Sequence, residues 1–299
     1  MTPYGTTRRI DSHHHFLNPA TRDYPWLTDP TLQRAFGPSD LEPLLASNAI
    51  DATIVVQTVP DVEETRDFLE IAGTTPFVAG VVGWLDLTDP HMPGTMTALR
   101  DGEHGRHLVG IRHQVHDEAD ADWLLRETVQ ANLNVLAYAG LAYDLLVRPR
   151  DLPAAITTAR DFPQLRFVID HLAKPPIASG EIAEWSSLMH EFAGLEHVAC
   201  KLSGLVTEAD PETWREDDLK PYVATALEIF GPERLMFGSD WPVCLLAASY
   251  DRVVDSLRAI LDDLGALTPE ADAAIFGLTA TRFYRLDDLG LLPSSAPAE

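Results

Sequence analysis

Near its start the chain reads Ile10-Asp11-Ser12-His13-His14-His15-Phe16. In an extended strand side chains alternate between faces, so His13 and His15 point one way and His14 the other. Two imidazoles on one face suit the gripping of a divalent metal or the polarising of a carbonyl. The plain alternative is a solvated His-rich turn, or histidines satisfied by backbone hydrogen bonds. Two later segments also place ionisable groups where an apolar run meets a turn. Phe167-Val168-Ile169-Asp170-His171 leads into Leu172-Ala173-Lys174-Pro175, and Leu235-Met236-Phe237-Gly238-Ser239-Asp240 leads into Trp241-Pro242. Burying such a group unpaired costs several kcal/mol, so each position needs a partner or a function.

The elements that must hold these groups follow from patterning. Short β-branched or apolar runs predict strands at Arg9–His13, Thr53–Gln57, Phe77–Val82, Val109–His113, Leu141–Leu146, Arg166–Asp170, His197–Leu202 and Arg234–Phe237. Between them helical spacing predicts Asp122–Tyr138, Leu152–Arg160, Glu181–Phe192, Pro221–Phe230 and Tyr250–Leu264, with Asp122 as an N-cap and Gly231-Pro232 as a stop. Strands that alternate with helices pair in parallel through right-handed crossovers. Eight of them fit a single (β/α)8 barrel of the TIM type. They fit an open doubly wound sheet less well, because the first strand lacks a Gly-x-Gly-x-x-Gly turn. In a barrel the C-terminal strand ends build the site, and the first and eighth strands are neighbours. His13, His15 and Asp240 are therefore expected to converge.

Composition narrows the classes. The chain has 299 residues, 45% hydrophobic and 23% charged, which is ordinary for a globular protein with a large core. Its net charge of −24 argues against a nucleic-acid partner, since a phosphate backbone repels such a surface and no Lys/Arg run offsets it. Two cysteines, Cys200 and Cys244, make no disulfide framework. No signal-like apolar core follows the N-terminus, and no apolar run approaches the ~18 residues of a membrane span. A reduced, cytoplasmic, soluble protein is expected. One barrel domain is expected over residues 1–292, with 293–299 a frayed tail. Oligomeric state is not legible.

Six segments together carry a resemblance: Asp11–Phe16, Tyr24-Pro25-Trp26-Leu27, Gly110-Ile111-Arg112-His113, Tyr143-Asp144-Leu145-Leu146, Asp170–Pro176 and Ser239–Val243. In this order, over nearly the whole chain, the sequence resembles the lactonase branch of the amidohydrolase superfamily, the hydrolases of sugar lactones and of pyrones or muconolactones. The resemblance implies a metal-dependent-hydrolase-like barrel that hydrolyses a cyclic ester. It places His13, His15, His171 and Asp240 at that family's active-site positions. One divalent ion, zinc or manganese, on His13, His15 and Asp240, with His171 as a further ligand, is compatible with it. The resemblance also implies that some lactonases of this branch work without metal. The sequence departs from the binuclear members of the superfamily, which bridge two metals with a carboxylated lysine, usually on the fourth strand. Its lysines, Lys174, Lys201 and Lys220, all lie beyond that strand, so a two-metal site is not expected.

Further strand-end residues are candidates for holding a small-molecule substrate. Arg112 and His113 close the fourth strand, and an arginine suits a hydroxyl or carboxylate. Trp84 would offer a flat apolar wall beside Asp86, and Lys201, Ser203 and Glu208 follow the seventh strand. His104, His107, His190 and His197 read as surface residues, and Asp117–Asp122 as a solvated helix entrance. The expected reaction is opening of a small lactone, a sugar-acid lactone foremost. Asp240 would activate water while His13, His15 and His171 polarise the carbonyl. No Gly-x-Ser-x-Gly elbow supports an acyl-enzyme. A non-oxidative decarboxylase of the same superfamily and a non-catalytic sugar-binding barrel are the alternatives.

Overall fold

A computed structural model describes residues 8–292; the expected tail at 293–299 lies outside the described residues. Eight strands form one parallel sheet in chain order: β1 (Ile10–His14), β2 (Ala52–Val56), β3 (Val78–Gly83), β4 (Leu108–His113), β5 (Ala142–Leu145), β6 (Arg166–Ile169), β7 (Val198–Leu202) and β8 (Leu235–Phe237). The sheet closes beyond β8. There Asp240 N–H donates to the His13 carbonyl at 2.8 Å, and His15 N–H to the Trp241 carbonyl at 2.7 Å. The main helices are α1 (Pro38–Ser47), α2 (Val62–Thr74), α3 (Met92–Arg100), α4 (Glu127–Ala139), α5 (Leu152–Asp161), α6 (Ala183–His190), the short α7 (Leu205–Glu208), α8 (Glu216–Phe230) and α9 (Tyr250–Asp263). Among the described residues no helix is long and apolar enough to cross a membrane. Both cysteines are free and buried.

Two cores share the strands by alternation. Ile54, Val56, Ala142, Val168, Ala199 and Met236 meet inside the barrel, on a floor made by Phe283, Tyr284 and Leu286. Val55, Tyr143, Leu145, Phe167 and Ile169 turn outward to the helices, where α9 contributes Val253, Val254, Leu257, Ile260 and Leu261. Two positions beyond Ala142, Val168 and Ala199 stand Asp144, Asp170 and Lys201, so the same period that fills the core carries charges into the barrel. In β1 the pairing with β2 shifts between Asp11 and His14. That extra residue separates Asp11, which accepts from Tyr250 Oη of α9 at 3.1 Å, from His13, which faces the barrel.

Two helix starts differ from expectation by more than a turn. Asp122 caps no α-helix: it precedes a single 3-10 turn, Trp123–Leu125, without a side-chain cap bond, and α4 begins at Glu127. Helix α8 starts ahead of Pro221, at Glu216, where Asp218 accepts the Arg215 N–H at 2.8 Å.

Candidate active site

Strand ends β1, β6 and β8 bring four side chains to one point. Asp240 Oδ1 lies 3.3 Å from His15 Nε2, 3.8 Å from His13 Nε2 and 3.8 Å from His171 Nε2. All four residues are buried. His14 is turned away from them, its Nε2 2.9 Å from Thr53 Oγ1. The expected alternation of the three histidines is therefore what the chain adopts. Asp240 and His171 both sit in the left-handed region, at φ 58° and 52°, and a run of such residues continues through Leu172, Ala173 and Lys174. Strain of this kind persists only where surrounding contacts fix it. Asp11 supplies part of that fixing, accepting the Ser239 and His13 N–H groups at 2.9 and 3.1 Å. Gly204 supplies another part, since a Cβ there would come within 2.5 Å of His171 Nδ1.

The tautomer of His15 follows from its partner. Its Nδ1 lies 2.7 Å from the Val56 carbonyl, which only accepts, so Nδ1 carries a proton and Nε2 faces Asp240. His171 Nδ1 rests on Ser203 Oγ at 2.8 Å. Burial works to raise the Asp240 carboxyl, but the surrounding imidazoles of His171, His15 and His13 overcome it and hold the group well below the usual carboxylate range. Burial lowers His171 to about 4 against the pull of Asp240 and Asp170. An ionised carboxylate beside the neutral imidazoles of His13 and His171 results.

Beneath them lies a closed layer of charge. Lys201 Nζ reaches Asp144 Oδ2 at 2.5 Å, Asp170 Oδ1 at 3.0 Å and His13 Nδ1 at 3.1 Å. Arg112 donates to Asp170 Oδ2 at 3.0 Å, to Gln57 Oε1 at 3.0 Å and to the Gln57 carbonyl. Tyr284 Oη donates to Asp144 Oδ2 at 2.8 Å. Burial would raise Asp170, yet Lys201, His13 and Arg112 hold it well below the ordinary range; at Asp144 burial prevails over Lys201 and the carboxyl rises to about 6.

A cleft of about 250 Å³ opens above this layer, small for a ligand site. His15, His171, Asp240 and Arg112 line it, together with Trp26, Thr58, Gln114, His116, Asp117, Leu146, Arg148, Lys174 and Val243. Of the residues expected to hold substrate, Arg112 alone is among them, and its donors are already engaged by Gln57 and Asp170. Lys201 is fully buried in the charged layer, two residues past inward-facing Ala199. Trp84 Nε1 donates to His113 Nδ1 at 3.0 Å, which puts the imidazole proton on Nε2 for Glu118 at 2.8 Å; the ring also stacks on Trp123 at 4.2 Å. Asp86 closes its own turn on Thr88. Trp84, Asp86 and His113 thus form a wall beside the cleft, and the indole in the cleft is Trp26. Ser203 serves His171, and Glu208 pairs with Lys174 at 2.6 Å. His107 is buried rather than a surface residue. The acidic run also does more than meet solvent, since Asp117 lines the cleft and Glu118 holds His113. Sequence reasoning overlooked His116, Asp117 and Arg148, whose loops give no strand-end signal.

The donor set suits a divalent cation. His13, His15 and Asp240 offer ligand atoms within 4.8 Å of one another. The Nδ1–H of His15 on a backbone carbonyl is the usual outer support of a metal-bound imidazole, and the facing acceptors of His15 and Asp240 call for a proton or cation between them. A second set, His13, Asp170 and His171, is equally close, but Lys201 and Arg112 already neutralise Asp170.

Comparison with known proteins gives the family. Residues 10–286 match the family model described as Amidohydrolase. The chain is 44% identical to an L-fucono-1,5-lactonase of Burkholderia ambifaria, over 94% of this chain and 97% of that one. It is 39% identical to an L-fucono-1,5-lactonase of Burkholderia multivorans, with the same shares covered. The crystal structure of a Burkholderia multivorans amidohydrolase with bound zinc superposes with a TM-score of 0.88 at 38% identity, covering 93% of this chain and 99% of that one. With its parallel barrel and His-x-His strand end, the chain belongs to the amidohydrolase family, in its lactonase branch.

Proposed function

We propose that the protein hydrolyses a small neutral lactone of a sugar acid, a six-membered 1,5-lactone foremost, to the open hydroxy acid. The observation that carries this reading is the ionised Asp240 at the focus of three imidazoles in a small cleft. The L-fucono-1,5-lactonase relatives support the substrate class. Two of the three cations of the cleft support its neutrality, since Arg112 is paired with Asp170 and Lys174 with Glu208. Trp26, 37% exposed and held by its Nε1–H on the Thr58 carbonyl at 3.0 Å, offers an aromatic face to the ring.

The reaction needs a base for water, a donor for the carbonyl oxygen and an acid for the leaving alkoxide. Asp240 accepts a proton from water as the oxygen attacks the carbonyl carbon. His171 donates from Nε2 to the developing oxyanion, while its Nδ1 accepts from the Ser203 hydroxyl. As the tetrahedral centre collapses the ring C–O bond breaks, and Asp240 passes its proton to the alkoxide. The low proton affinity of Asp240 keeps it ionised at the start and makes its protonated form a ready donor. A divalent cation on His13, His15 and Asp240, with His171 beside them, would supply Lewis-acid polarisation of the carbonyl. Lys201 and Arg112 hold His13 from below. A cytoplasmic enzyme with a small-molecule lactone as its partner completes the reading.

A panel of five- and six-membered lactones in weak buffer with a pH indicator tests it. One proton is expected per lactone opened at neutral pH. Carbon dioxide released from hydroxybenzoates, with no lactone opened, would replace this reading by the decarboxylase.

A further inference from the structure

We propose that Asp117 and Arg148 form a clamp for a vicinal diol of the substrate ring, across the cleft from Asp240; this rests on the lactonase reading. Asp117 follows β4 and Arg148 follows β5, and in an eight-stranded barrel these ends stand opposite β8 and β1, which carry Asp240 and His15. Both side chains line the cleft. A ring whose carbonyl meets His171 beside Asp240 therefore extends its distal substituents toward this pair.

The pair is built for a ligand rather than for stability. Arg148 Nη2 and Asp117 Oδ1 are 4.0 Å apart with side chains 53% and 60% exposed, a separation and exposure at which an ion pair adds little to folding. Their loops, by contrast, are tied firmly. His116 N–H donates to the Leu146 carbonyl at 3.1 Å, and Arg150 donates to the carbonyls of His116 and Glu118. His116 Nε2 lies 3.2 Å from Asp117 Oδ1 and limits where the carboxylate swings. A guanidinium donor and a carboxylate acceptor, held side by side, match adjacent hydroxyls, one accepting from Arg148 and the other donating to Asp117. An anionic substituent gains from Arg148 and loses to Asp117, so the pair favours neutral polyols. Lys174 does not alter this balance, because Glu208 already neutralises it.

Steady-state kinetics on Arg148→Met, Asp117→Asn and the double variant, with a polyhydroxylated 1,5-lactone, unsubstituted δ-valerolactone and a carboxylated six-membered lactone, test the clamp. The ratio of kcat/KM for the polyhydroxylated over the unsubstituted lactone is expected to fall about 10–100-fold in each single variant, the worth of a charged hydrogen bond. The double variant is expected to fall by less than the product of the two. Asp117→Asn should raise relative activity on the carboxylated lactone. Wild-type ratios in both single variants, or equal losses on the first two lactones, overturn the clamp alone. A wild-type protein inert to every lactone overturns the lactonase reading and the clamp with it.

Discussion

Nε2 of His15 faces Oδ1 of Asp240 at 3.3 Å, with the Nδ1–H of His15 committed to the Val56 carbonyl on the far side. Two acceptors so placed repel unless a proton or cation lies between them. The same local chain turns the adjacent His14 to Thr53. His13→Ala and His15→Ala should therefore lower kcat/KM by at least about 10²-fold, as loss of a group acting on the reacting atoms does. They should also weaken zinc uptake measured by metal analysis after dialysis. His14→Ala should keep its kcat and lose about 2–4 kcal/mol of stability in urea unfolding, the range for truncating a buried side chain. Equal kinetic losses from all three would contradict the placement.

Gly204 permits His171 to occupy its site. At φ +64° a side chain is strained, and a Cβ would meet the imidazole at 2.5 Å. Gly204→Ala should reduce kcat by more than Ser203→Ala, which removes only the contact to Nδ1. A Gly204→Ala enzyme with unchanged kcat and an unchanged melting temperature would show that the ring is free to move.

Two tryptophans separate wall from cleft. Trp26→Ala should raise KM for a sugar lactone about 5–15-fold, the worth of an aromatic contact, with a smaller effect on kcat. Trp84→Phe, which loses the bond to His113, should leave KM near wild type. Inhibition constants for an unreactive lactam provide the check on binding itself.

His116 gives the protein an acid-sensitive step. Burial, then Lys174, Arg148, Arg112 and His171, push its imidazole down to about 2, so the folded protein refuses a proton that the unfolded chain takes up below about pH 6.5. Its contribution to stability is complete above about pH 6.5 and is lost as pH falls from there toward about 2. Between pH 7 and 5 the unfolding free energy of His116→Gln should fall by about 1–2 kcal/mol less than that of wild type. Parallel pH profiles for the two proteins would contradict this.

The barrel was legible because all eight strands announce themselves as apolar runs, and Asp170, His171 and Asp240 stand out as polar interruptions at their ends. The convergence of His13, His15 and Asp240 followed from strand adjacency alone. The fate of Lys201 was also within reach, since period two places it beneath the mouth with inward-facing Ala199. What stayed hidden depends on loops. Trp26, His116, Asp117 and Arg148 enter the cleft through turns whose course no periodicity specifies. Trp84 stands outside it, with its N–H on His113. The shift in β1 between Asp11 and His14 likewise has no sequence mark, although it alone parts Asp11 from the histidine face.

The most direct measurement is proton release during opening of a polyhydroxylated 1,5-lactone by wild type and by Asp240→Asn, followed by pH indicator in weak buffer. The substitution keeps the shape of the side chain and removes its capacity to take a proton. Turnover is expected to fall by about 10²–10⁴-fold, while an unreactive lactam binds both proteins with similar affinity. An Asp240→Asn protein that opens the lactone at a rate near wild type would contradict Asp240 as the base.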